Sequence, residues 1–331
     1  MKVIFFSAKP YDRQFFNRYN NIPGLETEYY ETHLGPHIVN VIEDAYAVCV
    51  FVNDKLSAPV LEAIAAKGVK VIALRCAGFN NLDLDAAKRL GLRVCRVPAY
   101  SPEAVAEHTI AMLLTLNRKT HKAYNRVREQ NFSLDGLLGF NLSGKTIGVI
   151  GTGKIGKAFC KIMLGFGCTV VAYDVYEDAG LKELGVAYKS QGEVLATADI
   201  LSLHCPLTAE NHYLINSDTL AQMKDGVIVL NTSRGGLIST ADMIEALKSK
   251  KVGALGIDVY EQEEKLFFRD LSENIIEDDT IQRLMSFPNV LVTAHQAFFT
   301  DEALSQIAKV TLGSIAAFAE GSEPSPEVIL V

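Results

Sequence analysis

Gly151, Gly153 and Gly156 stand as G-x-G-x-x-G directly after the apolar run of Ile147, Val149 and Ile150. An apolar-periodic stretch, residues 157–165, follows at once. A strand, a tight turn and a helix N-terminus in that order make a site for a pyrophosphate. The first glycine turns the chain, the second lets backbone approach the phosphates, and the third lets helix pack on strand. Free N–H groups and the positive end of the helix dipole face the anion. Asp174 ends TVVAYD, 18 residues past Gly156. A carboxylate there accepts from ribose hydroxyls and repels a 2′-phosphate, so NAD is favoured over NADP. The same residues also fit a glycine turn with a capping aspartate and no ligand, but the ordered strand–turn–helix–strand context favours the phosphate reading.

A nicotinamide cofactor carries the hydride chemistry itself, and the protein must hold a substrate, polarise a carbonyl and deliver one proton. Arg234, after NTS at the end of a β-rich run, has a guanidinium able to fork onto a carboxylate. His295, after VLVTA, exchanges a proton near neutral pH. Glu263 suits holding an imidazole in one tautomer and favouring its charged form. Each has a plainer reading too: Arg234 as a surface ion pair, Glu263 as a solvated acid in an acidic loop, His295 as a hydrogen-bonded loop histidine. Spacing alone does not bring the three together. His204 also ends a β-rich run and reads as structural.

The elements that would position these residues alternate. Residues 2–7, 47–52, 69–74 and 93–97 read as strands, with helices at 61–68 and 86–91 closed by glycine. Alternating strands and helices imply a parallel sheet, so residues 1 to about 99 form one small α/β unit. VPAYSP marks its end, with Ser101 as a helix N-cap and Pro102 at the first helical position. One long helix is expected from Glu103 to about Arg128, apolar on more than one face and so buried between domains or subunits. Residues 131–143 read as a glycine-rich loop. From Gly144 a second unit repeats the beat, with strands ending at Ile150, Asp174, His204, Asn231, Asp258 and about Thr293. Ligands of an open parallel sheet sit at strand C-termini. That makes the glycine turn, Asp174, the His204-Cys205-Pro206 and Thr232-Ser233-Arg234 segments, Asp258 and His295 the candidates. A last helix, about residues 300–318, can return to the first unit. The fold class expected is α/β, with two parallel-sheet domains.

Bulk properties narrow the partners. The chain has 331 residues, 49% of them hydrophobic, and a net charge of −7. No block of Lys or Arg exists to neutralise a phosphate backbone, so nucleic-acid binding is disfavoured. The basic run at 118–128 has a helical period and reads as a solvated or interdomain face. No run reaches transmembrane length and no signal pattern opens the chain. The six cysteines form no C-x-x-C and none pairs with a histidine at ligand spacing, so no metal and a reducing, cytoplasmic setting are expected.

Read in order, GTGKIG with Asp174, SLHCPLT, NTSRGGLI, GIDVYEQE and TAHQAF resemble the signature set of the D-isomer-specific 2-hydroxyacid dehydrogenases. FVND, LRCAGFNNLDLDAAKRLGLRV and RVPAYSPEAVAEH are similar to the fermentative D-lactate dehydrogenase branch in particular. The resemblance spans nearly the whole chain. It implies a catalytic trio of Arg234, Glu263 and His295: the arginine binds the substrate carboxylate and polarises the keto group, the histidine protonates the keto oxygen, and the glutamate supports the histidine. It implies cofactor contacts from Gly151, Gly153, Lys154, Ile155, Gly156, Asp174, Cys205, Pro206, Asn211, Thr232, Ser233, Arg234 and Asp258. Substrate contacts fall on Arg234, on Ala77 and Gly78 within the loop 75–78, and on Tyr100. Ser233 stands where glycine is common. The family fold implies a flavodoxin-like substrate domain of residues 1–100 plus 299–331, a Rossmann NAD-binding domain of 101–298, and a cleft between them. The implied reaction is NADH-dependent reduction of pyruvate to D-lactate by a cytoplasmic homodimer or homotetramer. The alternatives are a bulkier 2-keto acid, with Tyr100, Phe79, Phe298 and Phe299 shaping the pocket, and an NAD-sensing binding protein resembling the C-terminal binding protein corepressors. A formate dehydrogenase would pair glutamine with the histidine, and Glu263 argues against it.

Overall fold

The computed structural model describes all 331 residues, the side chain of Lys265 excepted. The chain divides into two compact units, Met1–Ser101 with Phe298–Val331, and Pro102–Ala297.

In the first unit, β1 (Lys2–Phe5), α1 (Pro10–Tyr19), β2 (Glu26–Tyr29), β3 (Ala47–Val50), α2 (Ala58–Ala66), β4 (Val71–Leu74), α3 (Leu84–Arg89) and β5 (Arg93–Arg96) alternate as expected. All pairings are parallel, in the order β2-β1-β3-β4-β5. β3 and β4 are buried along their whole length, the mark of strands covered on both faces. The unit is completed by the end of the chain: the last helix of the structure lies against α1, where Tyr19 Oη donates to Ser305 Oγ at 3.0 Å. The residues after that helix run antiparallel beside β5, with Val94 N–H donating to Val331 O and Leu330 N–H to Val94 O, both at 2.9 Å. Two elements here escape the sequence reading. β2 is a short edge strand, Glu-Thr-Glu-Tyr, with three polar residues and one aromatic. α1 is mostly polar, set by Pro10 at its first position and by Asp12 accepting from Lys9 N–H at 2.8 Å.

The second unit opens with α4 (Pro102–Arg118) and α5 (Thr120–Arg128) where one helix is expected. The break is at Lys119, whose φ of +49° is left-handed and incompatible with helical continuation. α4 buries residues on several faces, whereas α5, which carries the basic run, buries none. Then follow β6 (Thr146–Ile150), α6 (Lys154–Gly165), β7 (Thr169–Tyr173), α7 (Ala179–Glu183), β8 (Ala187–Tyr188), α8 (Gln191–Thr197), β9 (Ile200–Leu203), α9 (Ser217–Gln222), β10 (Val227–Asn231), α10 (Thr240–Lys248), β11 (Val252–Ile257), α11 (Asp279–Met285) and β12 (Val290–Val292). The chain then leaves for α12 (Asp301–Ala319) of the first unit. The seven strands lie parallel in the order β12-β11-β10-β9-β6-β7-β8. Strand order reverses between β6 and β9, and a crevice opens at such a switch point. One apolar cluster, including Ile110, Leu113, Phe159 and Met163, covers one face of this sheet. Another, including Leu195, Met243, Ile244 and Leu284, covers the other. The sheet is thereby held from both sides with its strand ends free to carry chemistry.

Candidate active site

The glycine turn at the end of β6 has no room for side chains at two of its three glycines. A Cβ on Gly151, whose φ is +94°, would lie 2.5 Å from Cys205 N, because the end of β9 crosses behind it at the switch point. A Cβ on Gly156 would lie 2.0 Å from Gly151 O, so helix and turn touch directly. Gly153 differs: nothing lies within 4 Å of its would-be Cβ. That is the glycine where a ligand's approach, not chain packing, explains the missing side chain. Gly153 is also the N-cap of α6 and gives no side-chain cap, whereas Asp178, Ser190, Asn216, Ser239 and Asp278 cap helices elsewhere in this unit. Amides of the first turn of α6, on Ile155 and Gly156, are left for an anion. Gly153 and Lys154 are exposed, as a phosphate-facing turn requires. Asp174, just past β7, accepts from Thr152 N–H and Oγ–H through one oxygen and from Tyr176 N–H at 3.1 Å through the other. It is fixed at the turn and partly open to a ribose. The residues present therefore fit a dinucleotide.

Loops at the ends of β9 and β10 close around the same end of the sheet. Asn211 ties its own loop, donating to Pro206 O at 2.7 Å and accepting from Thr208 N–H at 2.7 Å. Ser233 Oγ donates to Cys205 O at 2.6 Å and so bridges the two loops, a task glycine has no atom to perform. Thr232 is buried, its hydroxyl 2.8 Å from that of Thr109 on α4. Burial pushes the Cys205 thiol up to about 11, with the charge of Asp174 adding to the shift. His204 is desolvated beside Phe159, its Nε2 2.8 Å from Ser202 Oγ. Burial lowers its pKa to about 3, so it is neutral and serves the core.

Arg234, Glu263 and His295 stand just beyond the C-termini of β10, β11 and β12, three adjacent strands. His295 Nδ1 and Glu263 Oε1 are 2.7 Å apart. The other carboxylate oxygen accepts from Tyr260 N–H at 3.0 Å, which fixes the acid's rotation. His295 has φ +52° and its N–H donates to Asp258 O at 2.7 Å, so a strained backbone holds the ring in place. Side-chain exposures of 20% for His295 and 17% for Glu263 leave the pair accessible yet largely dry. No group among the described residues bonds His295 Nε2. Arg234 is half-buried, and NH1 donates to Ser233 O at 2.7 Å. No carboxylate pairs with it among the described residues, so its charge is available to an anion. No hydrogen bond joins Arg234 to the other two residues; strand order brings them to one end of the sheet.

Three positioning residues were not found from sequence. Asn231 is buried, accepting from Ser233 N–H at 3.0 Å and donating to Arg234 O at 2.8 Å, which shapes the arginine's turn. An Asn two residues before a Ser at a strand end is the available signal. Gly235 packs against the 260–261 peptide, where a Cβ would lie 2.1 Å from Tyr260 C. Phe268, with a φ of +62°, sets its ring 5.9 Å from that of His295. Asp258, named as a cofactor contact from sequence, is fully buried instead. Its oxygens accept from Thr293 Oγ–H, from Gln296 N–H at 2.9 Å and from Ala297 N–H at 2.8 Å. Gathered this way, it shapes the turn that carries His295 and presents no surface of its own.

In the first unit, Ala77 and Gly78 lie in the half-buried loop after β4. Tyr100 packs edge-on to Phe298, ring centroids 6.2 Å apart. Arg75 is buried to 1% exposure and committed to Asp12 and to the carbonyls of Phe6 and Ser7. No cluster of metal-ligating side chains occurs among the described residues.

Comparison with known proteins follows the same lines. Residues 110–297 match the profile of the D-isomer specific 2-hydroxyacid dehydrogenase NAD binding domain. The chain is 51% identical to the D-lactate dehydrogenase of Escherichia coli over 99% of its own length and 100% of that protein's. An apo structure of the E. coli D-lactate dehydrogenase superposes with a TM-score of 0.91 at 50% identity, each chain covered in full. The Aquifex aeolicus D-lactate dehydrogenase, solved with NAD and lactic acid, superposes with a TM-score of 0.86 at 38% identity over 96% of both chains. The chain belongs to the D-isomer specific 2-hydroxyacid dehydrogenase family, an NAD-dependent oxidoreductase whose Pro102–Ala297 unit carries the family's NAD-binding domain.

Proposed function

We propose that this dehydrogenase is a cytoplasmic D-lactate dehydrogenase that reduces pyruvate to D-lactate. The observation that carries the reading is the Glu263–His295 pair, 2.7 Å apart, at the same sheet end as a guanidinium without a carboxylate partner. When bound, the reduced cofactor supplies the hydride. The glycine turn, Asp174 and the loops at 205–211 and 232–234 hold it. Arg234 forks onto the substrate carboxylate and draws electron density from the keto oxygen. In the first unit, the family resemblance gives Ala77 and Gly78 to a substrate carboxylate and Tyr100 to the substrate's surroundings. Glu263 accepts from His295 Nδ1–H and so orients the ring. The charged ring then donates its Nε2 proton to the keto oxygen as the carbon is reduced. Six free cysteines, five of them buried, suit a reducing compartment.

The test is a panel of 2-keto acids with NADH and NADPH, with product chirality assigned. Pyruvate giving D-lactate with NADH is the expected result, and L-lactate or no turnover overturns it. A second reading rests on Phe51, Tyr100 and Phe298, whose rings lie 6.1 and 6.2 Å apart in the first unit. An aromatic wall of this kind also suits a bulkier side chain, and a D-2-hydroxyisocaproate dehydrogenase superposes with a TM-score of 0.86 at 31% identity. A higher kcat/KM for 2-ketoisocaproate than for pyruvate would favour that reading.

We propose further that the chain works as a homodimer, or a tetramer built from dimers. Phe132, Leu134 and Leu138 are 73%, 82% and 89% exposed on the loop after α5. Leu134 and Leu138, with Leu137, Phe140 and Arg118, line a hollow of about 390 Å³. Exposed apolar side chains gathered on one loop are what a two-fold contact between identical surfaces uses.

A further inference from the structure

The loop after β4 has its three carbonyls taken by the chain. Cys76 O accepts from Val97 N–H at 3.2 Å, Ala77 O from Arg96 NH1 at 2.8 Å, and Gly78 O from Cys76 Sγ at 3.3 Å. A trans peptide points its N–H away from its own carbonyl, and no cis bond occurs among the described residues. The N–H groups of Ala77, Gly78 and Phe79 are therefore turned away from these donors, and none of them bonds another group among the described residues. Successive amides left free in this way are available to an anion.

Arg96 is the charged member of this arrangement. It ends β5, is half-buried, and lies over the Phe79 ring at 5.1 Å. Its Nε is buried without a hydrogen-bond acceptor, and no carboxylate pairs with it among the described residues. The contrast with Arg75, at the end of the adjacent strand β4 but paired with Asp12 at 3.1 Å, is direct. A cation on a peptide oxygen polarises that peptide and strengthens its N–H as a donor. Arg96 thus fixes the Ala77–Gly78 peptide in one orientation and sharpens the Gly78 N–H that faces the other way.

We propose that Arg96 is a positioning residue for the substrate carboxylate, acting through the Ala77–Gly78 peptide and through its own unpaired charge. The inference rests on the reading of the chain as a 2-keto acid reductase with Ala77 and Gly78 at the carboxylate. It assigns to Arg96 part of the discrimination between a charged substrate and a neutral one.

Steady-state kinetics of Arg96→Gln and Arg96→Lys, with pyruvate and with its neutral amide, pyruvamide, test this. A charge-assisted hydrogen bond lost from such a site corresponds to about tenfold or more in affinity. In Arg96→Gln, the KM for pyruvate is expected to rise about tenfold with kcat within threefold. NADH affinity by fluorescence should stay unchanged, and the preference for pyruvate over pyruvamide should shrink. Arg96→Lys, which keeps the charge and one donor, should recover most of the loss. An unchanged pyruvate KM in Arg96→Gln, in a preparation whose unaltered enzyme turns over pyruvate, overturns this inference alone. Equal losses for pyruvate and pyruvamide, with a lowered melting temperature and no rescue by lysine, overturn it as well, since that is what a purely structural contact would give. No 2-keto acid turnover by the unaltered protein would instead remove the functional reading beneath it.

Discussion

Two histidines at strand ends of one sheet show how surroundings divide one side chain into two roles. His295 keeps Nε2 unengaged and has an acid on Nδ1. His204 is desolvated beside Phe159. A His295→Ala variant should lose about 10²-fold or more in kcat, the usual worth of general acid catalysis, with NADH binding retained. Normal turnover would take His295 out of the chemistry. For His204 the consequence is stability. Its folded pKa of about 3 lies below the unfolded value, so the unfolded chain takes up the extra proton first as the solution is acidified. The contribution is fully present above about pH 6.5 and falls away below it, by about 1.4 kcal/mol per pH unit over the first units. Urea unfolding of His204→Gln between pH 7.5 and 5 should therefore show a shallower acid loss than the unaltered chain; equal slopes would assign the loss to other groups. At this scale the candidates Arg234, Glu263 and His295 and their order were readable from sequence. The hydrogen bonds of Asn231 and the burial of Asp258 were not, because they depend on which loops the sheet brings side by side.

Among the elements, the turn after β10 is the tightest constraint near the chemistry. Arg234 can sit where it does only because Gly235 lets its backbone touch the 260–261 peptide. A methyl group there must move one backbone off the other. Gly235→Ala should cost about 1–3 kcal/mol, as overpacking does. Displacing Arg234 by about 1 Å should lower kcat/KM for the keto acid by about 10²-fold. Kinetics paired with a melting curve would check this, and near-normal kcat/KM would mean that the turn tolerates the shift. Strands of continuous Val, Ile and Leu with glycines at their ends were legible, since buried parallel strands read that way. The division of α4 from α5 was not. Lys119 is a good helix former with neither Gly nor Pro beside it, and only its tertiary setting gives it a left-handed backbone. β2 was hidden for a related reason: ETEY is short, on an edge and mostly polar, and its place is set by pairing with β1.

For the whole molecule, the α/β class and two parallel sheets followed from alternation alone, because strands joined by helices have few other arrangements. The exposed loop after α5 carries the assembly prediction. A Leu134→Asp, Leu138→Asp double variant should run as a monomer in light scattering while the unaltered chain does not. A monomeric unaltered chain would remove the proposed contact.

The way the first unit is finished has a bearing on biosynthesis. Its sheet comes from the opening hundred residues, yet α12 on α1 and the antiparallel cover along β5 come from the closing ones. A growing polypeptide on the ribosome can complete its central unit while the earlier-made sheet still waits for its final helix. Until then β5 shows an uncovered edge, the kind of surface on which chains stick to one another. A stop codon just before Phe298 would thus leave the damage at the opposite end of the sequence, in the part translated first.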